Sequence, residues 1–439
     1  MFLFPRGNKP QRNPVLLRGP SPEGFILNAG WLPNACATRL FDFRWAAVEP
    51  GRPDFEAIVA SEFEMNPHHV CPDFEWLLRR VQDEMMEGDL SASPIIFDGT
   101  PSHLHKRGIV AAADLKLPYY WTDKPPVVEI DEVDEVYAAL KRSRMSLMVT
   151  FNHQFNAIVE FLRVLVRKER KRVKRIYAAF IQDWLQKKVQ FRQADWRTSH
   201  IFCALLDILT HAGDLASCVA GSPIILVEKG KVREHGEFAK QKGFFDEAEG
   251  NIVFANGLEA AIECSQCRAG HADDIYIVVE LDDDTLLMWS LEWNPDALFV
   301  SKIPDASFDD PGDWDMHLRG HSSIFADLIG TEDAGKVMQM FGKNPGGHIQ
   351  GWDSLWYYLF AAGVGSILRK EHHTVTKTLE GMQPIMHHSV PMFADAGAQA
   401  TILVHALYLS ATRHGKRVLL TEVYDWQQKS RELGLAASA

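Results

Sequence analysis

Cysteine is scarce in this chain. Its six cysteines among 439 residues (Cys36, Cys71, Cys203, Cys218, Cys264 and Cys267) are too few to staple a fold of this length. A disulfide scaffold is therefore excluded, and a reducing, cytoplasmic location is expected. Long apolar runs are missing too. The longest, Leu355 to Leu368, is broken by glycines and falls short of the roughly 20 residues that span a bilayer, so no membrane partner is expected. The opening Met-Phe-Leu-Phe-Pro-Arg has no apolar core of secretory-signal length. Gly-x-Ser-x-Gly, His-Glu-x-x-His and Gly-x-Gly-x-x-Gly are all absent in complete form, which tells against serine hydrolases, zinc peptidases and typical dehydrogenases. Positive charge is the minority, 46 Lys and Arg against 58 Asp and Glu, so the net charge of −12 opposes indiscriminate binding to nucleic acid or anionic membrane.

What is present is ordinary globular composition: 46% hydrophobic residues, 24% charged and twelve Trp, which together argue against extensive disorder. The length implies more than one core. Four regions follow from the pattern: an irregular mixed α/β stretch at 1–125, a helical stretch at 126–220, a small sheet at 221–310 and a helical remainder at 311–439. The fold class expected is α+β, a largely helical chain with a small mixed β-sheet around residues 223–308. The acidic run Glu129 to Glu135 stands at the entrance of a helical pattern, where carboxylates complement the helix dipole.

From His153 to Leu185 the spacing of Phe161, Leu162, Leu165, Val166, Val173, Ile176, Tyr177, Phe180, Trp184 and Leu185 predicts one long helix. Its other face carries eight cations between Arg163 and Arg175 against Glu169 alone. That face is either solvated and paired with the acidic majority of the fold, or it holds the phosphates of a nucleic acid or phosphorylated ligand through Arg167, Lys168, Arg170, Lys171 and Lys174.

Other constellations are incomplete. Gly330-Thr-Glu-Asp-Ala-Gly-Lys336 has phosphate-loop spacing, but Val337 stands where Ser or Thr would hold magnesium. Cys264-Ser-Gln-Cys267 with His271 is half a zinc signature that would have to recruit Cys203, Cys218 or a distant His. His317 and His321 share i, i+4 spacing, and His372-His373 and His387-His388 are adjacent pairs that point apart. No metal site is expected.

Residues 223–308 resemble the second half of the ADP-ribosyltransferase fold. Ile252-Val-Phe-Ala-Asn256 resembles a strand and polar turn, Leu258 to Glu263 the following helix, Ile275 to Leu281 a crossing strand, and Glu292-Trp-Asn-Pro to Ile303-Pro304 the closing motif. The resemblance implies NAD as a substrate, held near Phe254, Asn256, Arg197 and His200. It implies Glu292 as the carboxylate that stabilises an oxocarbenium-like ribose, with Glu280 as its rival. A transferase acting on a nucleic-acid or protein target is the function expected. The alternative is a non-enzymatic assembly or nucleic-acid-binding protein, and either reading leaves room for an oligomer.

Overall fold

A computed structural model describes residues 13–19, 41–48, 53–62, 65–88, 94–117, 119–149, 151, 153, 156–183, 203–268, 274–294, 297–303, 306–308, 310–317 and 393–424. Contacts divide them into two units. The described residues up to Val127, those of Asp131–Phe155, and Phe393 and Ala394 form the first unit. Val128–Ile130, the described residues of Asn156–Ile324 and those of Asp395–Ala439 form the second.

The first unit is built on six parallel strands: β1 (Asn13–Arg18), β2 (Phe41–Ala47), β3 (Val70–Cys71), β4 (Ile95–Asp98), β5 (Tyr119–Thr122) and β6 (Ser146–Val149). They lie in the order β3-β2-β1-β4-β5-β6. A parallel sheet needs helical crossovers that cover it, so its strands read as unbroken apolar runs rather than alternating ones. Val15-Leu-Leu17, Ile95-Ile-Phe97 and Tyr120-Trp121 are such runs, and all are buried. The described helices are α1 (Pro53–Glu62), α2 (Phe74–Met86), α3 (His105–Asp114) and α4 (Ile130–Ser143). Asp73 caps α2 by accepting from the Trp76 amide at 2.8 Å. The acidic run enters α4, with Asp131 and Glu132 in its first turn and Lys141 and Arg142 in its last.

The second unit opens with α5 (Ala157–Lys168), whose N-cap Asn156 accepts from the Ile158 amide at 2.8 Å. Its sheet comprises β7 (Val173–Ile181), β8 (Ile224–Arg233), β9 (Glu247–Phe254), β10 (Glu259–Ser265), β11 (Asp274–Leu281), β12 (Leu286–Ser290), β13 (Leu298–Ser301), β14 (Asp315–His317) and β15 (Val418–Leu419). The order is β14-β13-β12-β11-β7-β10-β9-β8-β15, antiparallel throughout except for β7 beside β10. Further described helices of this unit are α6 (Cys203–Ala220), α7 (Glu237–Lys242), α8 (Phe393–Thr412) and the short α9 (Leu420–Val423). The helix α6 packs on β7 and β10. Against β8 and β9 lies α8, where Gly230 leaves room for its backbone: a Cβ there would stand 2.7 Å from the Leu407 carbonyl. A separate apolar cluster gathers Ala179, Tyr276, Met288, Phe299 and Trp314, with Trp293 and Phe308 packed against it. Among the described residues no helix is long and apolar enough to cross a membrane.

Two expectations are overturned here. The chain is not largely helical with a small sheet, because fifteen strands run through its described residues in two sheets. Nor does one helix run from 153 to 185, since α5 stops at Lys168 and a short turn at Arg170–Arg172 leads into β7. Val173, Ile176, Tyr177 and Phe180 have helical spacing, yet a central strand buried on both faces accepts the same pattern. The helix expected at Leu258 to Glu263 is likewise strand β10, and Asn256 sits in the hairpin turn before it.

Candidate active site

In an open parallel sheet, ligands bind beyond the carboxyl ends of the strands where the strand order reverses. Here that point lies between β1 and β4, with β2 and β3 to one side and β5 and β6 to the other. At the end of β1, Arg18 is wholly buried and followed by Gly19. The Arg18 Nη1 donates to Asp98 Oδ2 at 2.7 Å, to the Leu104 carbonyl at 2.9 Å and to the Tyr120 hydroxyl at 3.2 Å. Tyr120 in turn donates to Asp98 Oδ2 at 2.5 Å, while the amide and hydroxyl of Thr100 donate to Asp98 Oδ1 at 2.9 and 2.7 Å. Burial alone would push Asp98 up, but Arg18, His105 and these hydrogen bonds outweigh it and hold its carboxyl below the usual range. Burial and the Asp98 charge push the Tyr120 phenol well above its ordinary value.

This network fixes the loops above it. Gly19 has φ +70°, and a Cβ there would meet Thr100 Cγ2 at 2.5 Å, so the turn after β1 lies against the turn after β4 as only glycine permits. Next to them, β5 ends in Thr122-Asp123-Lys124-Pro125, with a cis bond before Pro125. Lys124 is 8% exposed, and its amide donates to Asp123 Oδ1 at 2.8 Å. His105 reaches the Thr100 and Pro125 carbonyls at 2.7 Å each, tying the β4 turn to the β5 turn. Three strand ends thus present Gly19, Thr100 and Lys124 at one edge of the sheet.

The second unit has its own polar cluster. Asp207, His211 and Asp214 recur at i, i+4 and i+7 on α6, and all three are buried. Gln182 and Gln266, also buried, follow the ends of β7 and β10. Gln266 Nε2 donates to Asp207 Oδ2 at 3.4 Å, and the His211 ring meets Phe180 edge-on at 5.3 Å between centroids. A histidine one turn beyond a carboxylate, on a largely apolar helix, is a group suited to moving a proton or gripping a hydroxyl.

Comparison with known proteins accords with this architecture. The GFO/IDH/MocA C-terminal domain family matches residues 167–282. Over 193 residues the chain is 24% identical to the uncharacterized oxidoreductase YrbE of Bacillus subtilis (strain 168), covering 44% of this chain and 53% of that protein. It therefore spans about half the length of that curated relative. Among solved structures, an inositol dehydrogenase homologue from Azotobacter vinelandii, complexed with NADH and myo-inositol, superposes with a TM-score of 0.70 at 16% identity, over 93% of this chain and 98% of that one. An oxidoreductase from Sinorhizobium meliloti gives 0.67 at 18% identity, over 93% and 99%. Levoglucosan dehydrogenase with NADH and levoglucosan gives 0.64 at 20%, over 93% and 99%.

The fold is the one these oxidoreductases share.

That finding overturns the ADP-ribosyltransferase resemblance and, with it, the transferase function, the enzyme class and ADP-ribosylation as the chemistry. Residues 223–308 are part of a nine-stranded sheet rather than a small split sheet that clamps NAD. The residues assigned to that clamp do other things. Glu292 lies exposed in the turn after β12. Glu280 accepts from the Tyr177 hydroxyl at 3.0 Å and pairs with Lys174 at 3.8 Å. Phe254 is buried at the end of β9, and Asn256 holds the hairpin turn by donating to the Ala220 carbonyl at 2.9 Å and accepting from the Leu258 amide at 3.1 Å. Arg197 and His200 lie outside the described residues.

The basic segment is likewise divided. Arg167 and Lys168 end α5, Arg170 and Lys171 occupy the turn, and Lys174 lies on β7. Arg170 bonds the Asn256 carbonyl, Arg172 pairs with Asp282 and Asp283 at 3.0 Å each, and Lys174 pairs with Asp284. His317 ends strand β14 instead of a helical turn, and the loop at 330–336, His271, His321 and both His pairs lie outside the described residues.

Sequence reasoning passed over Gly19, Asp98, Lys124, Asp207 and His211. Usable signals existed. Gly19-Pro-Ser-Pro-Glu-Gly24 follows an apolar strand with the dinucleotide-loop spacing and Ser21 at the middle glycine, although only Gly19 of it lies among the described residues. Asp207-x-x-x-His211 within an apolar helix was the second.

Proposed function

We propose that this protein is an NAD(P)-dependent dehydrogenase that oxidises a secondary hydroxyl of a polyol or cyclic sugar. The observation that carries this is the parallel order β3-β2-β1-β4-β5-β6, with Gly19 at the switch point and Lys124 two residues past β5. The turn at Gly19, closed on Thr100 with no space for a side chain, fits a dinucleotide whose phosphates approach backbone closely. The inositol and levoglucosan dehydrogenase structures support the choice of substrate class. NAD(P), when bound, supplies the hydride acceptor; in this reading it is a cofactor that leaves reduced, not a substrate cleaved at its ribose.

The chain's own residues handle the proton. Oxidation of a secondary alcohol to the ketone releases a hydride from carbon and one proton from oxygen, and Lys124 takes that proton. The buried Arg18–Asp98 pair with Tyr120 and His105 holds the β4 and β5 turns so that Lys124 stays in place. The test is to incubate full-length protein with NAD+ or NADP+ and a panel of inositols, anhydrosugars and aldoses, and to follow reduced nicotinamide. Turnover on at least one member is expected. Failure to bind either dinucleotide in calorimetry refutes the proposal.

A further inference from the structure

A second cluster of chemically able side chains lies elsewhere in the second unit, where β8 ends, β9 begins and β10 ends. Register brings these termini together: Arg233 pairs with Glu247, and Glu247 with Ser265. Just beyond them, one atom each from His235, Glu247 and Cys267 lies within 4.8 Å of the other two. His235 Nδ1 is 3.5 Å from Glu247 Oε2, and Cys267 Sγ is 3.7 Å from Glu247 Oε1. A tetrahedral zinc ion, with bonds of about 2.3 Å to sulfur and about 2.0–2.2 Å to nitrogen and oxygen, separates its ligand atoms by roughly 3.4–3.6 Å. Glu247 already stands near that spacing from both His235 and Cys267, one carboxylate oxygen toward each, and all three groups lie within 4.8 Å of one another.

The surrounding groups orient all three. Asp246, wholly buried, accepts the amides of His235 and Gly236 at 2.7 and 2.8 Å, which pins the backbone carrying the imidazole. At Gly236 a Cβ would stand 2.9 Å from Asp246 Oδ2 and 3.5 Å from Cys267 Cβ, so the loop lies this close only because glycine is there. Ser265 donates to Glu247 Oε1 at 2.8 Å and receives the Cys267 amide at 3.3 Å. Such outer contacts are what orient metal ligands. One cation intrudes, with Arg233 Nε 3.6 Å from Glu247 Oε2, but Arg233 is exposed and also pairs with Glu249 at 3.2 Å, so it can yield.

We propose that His235, Glu247 and Cys267 form a binding site for a divalent metal of the zinc class, at the shared end of β8, β9 and β10. Three protein ligands leave the fourth position to water. On binding, the Cys267 S–H bond is exchanged for a sulfur–metal bond and the proton goes to solvent. The site would tie the β8–β9 loop to β10, one residue from Gln266 and its bond to Asp207.

The test uses full-length protein stripped with EDTA and titrated with Zn2+ and, separately, with Co2+. One zinc per chain is expected, with a thiolate-to-cobalt charge-transfer band that Cys267→Ser abolishes. His235→Ala alters an exposed side chain, so it should fold and lose zinc affinity by about tenfold or more. Should Cys267→Ser fail to fold, the wild-type cobalt spectrum and the His235→Ala titration still decide. Absence of stoichiometric zinc, a cobalt complex without the thiolate band, or wild-type affinity in His235→Ala overturns the assignment.

Discussion

Gly108→Ala sets two physical effects against each other at one atom. Gly108 lies inside α3, where replacing glycine by alanine ordinarily gains about 0.8–1 kcal/mol of helix propensity. Here the added Cβ would stand 2.0 Å from Arg18 Nη1 and 2.1 Å from the Tyr120 hydroxyl. Neither group can step aside at little cost. Nη1 is held by Asp98, Leu104 and Tyr120, and the Arg18 guanidinium lies over the Phe74 ring at 4.5 Å. Separating a buried ion pair costs about 3–5 kcal/mol, so the expected net is a loss of roughly 2–4 kcal/mol. Gly213→Ala is the control, because its Cβ would meet only the flexible end of Leu403, Cδ2 at 2.5 Å. Urea unfolding followed by tryptophan fluorescence should show the Gly108→Ala transition at clearly lower denaturant and that of Gly213→Ala nearly unmoved. An unchanged or raised midpoint for Gly108→Ala would refute the reasoning that the Arg18 network is rigid.

Two further outcomes follow from the same sites. Lys124→Met should retain dinucleotide affinity in calorimetry while turnover falls by about two orders of magnitude or more. Equal activity in Lys124→Met would remove that residue from the proton step. Because the folded-state value of Asp98 lies below its unfolded one, its contribution to stability is present above the unfolded carboxylate range and is lost as pH falls through the folded value. Acid unfolding curves should therefore fall less steeply for Asp98→Asn than for wild type, and parallel curves would contradict this.

Much of the first sheet was visible in the sequence, yet it was read as irregular. Val15-Leu-Leu17 and Ile95-Ile-Phe97 are short apolar runs flanked by Gly and Pro, and burial on both faces erases the alternation that marks a strand. The same ambiguity at Val173, Ile176, Tyr177 and Phe180 extended a helix through β7. The turn after β1 carries Gly19 and Gly24 with Ser21 between them, so a three-glycine pattern does not find it, and Gly19 is the member of that turn among the described residues whose geometry requires glycine. Lys124 carried no local mark: its meaning comes from β5 lying next to β4 in a parallel sheet, which is long-range pairing that no window of sequence contains. The resemblance that singled out Glu292 and Glu280 rests on strand-turn-strand elements with a terminal Glu, which recur in many folds.

The parallel placement of β7 against β10 in an otherwise antiparallel sheet has an outcome for how this protein could change. Antiparallel neighbours would put the residues that follow each strand at opposite edges. Here Ile181 faces Ser265, so Gln182 and Gln266 leave the sheet side by side, with their backbones joined through the Gln182 amide to the Ser265 carbonyl at 2.7 Å and the Arg268 amide to the Gln182 carbonyl at 3.0 Å. Main-chain bonds hold that pair of positions whatever side chains they carry. Two adjacent amides can thus be exchanged for other polar groups, altering what α6 and its Asp207 meet, while the strand ladder beneath stays intact. New preferences could be acquired there by substitution at two codons, without repacking a core.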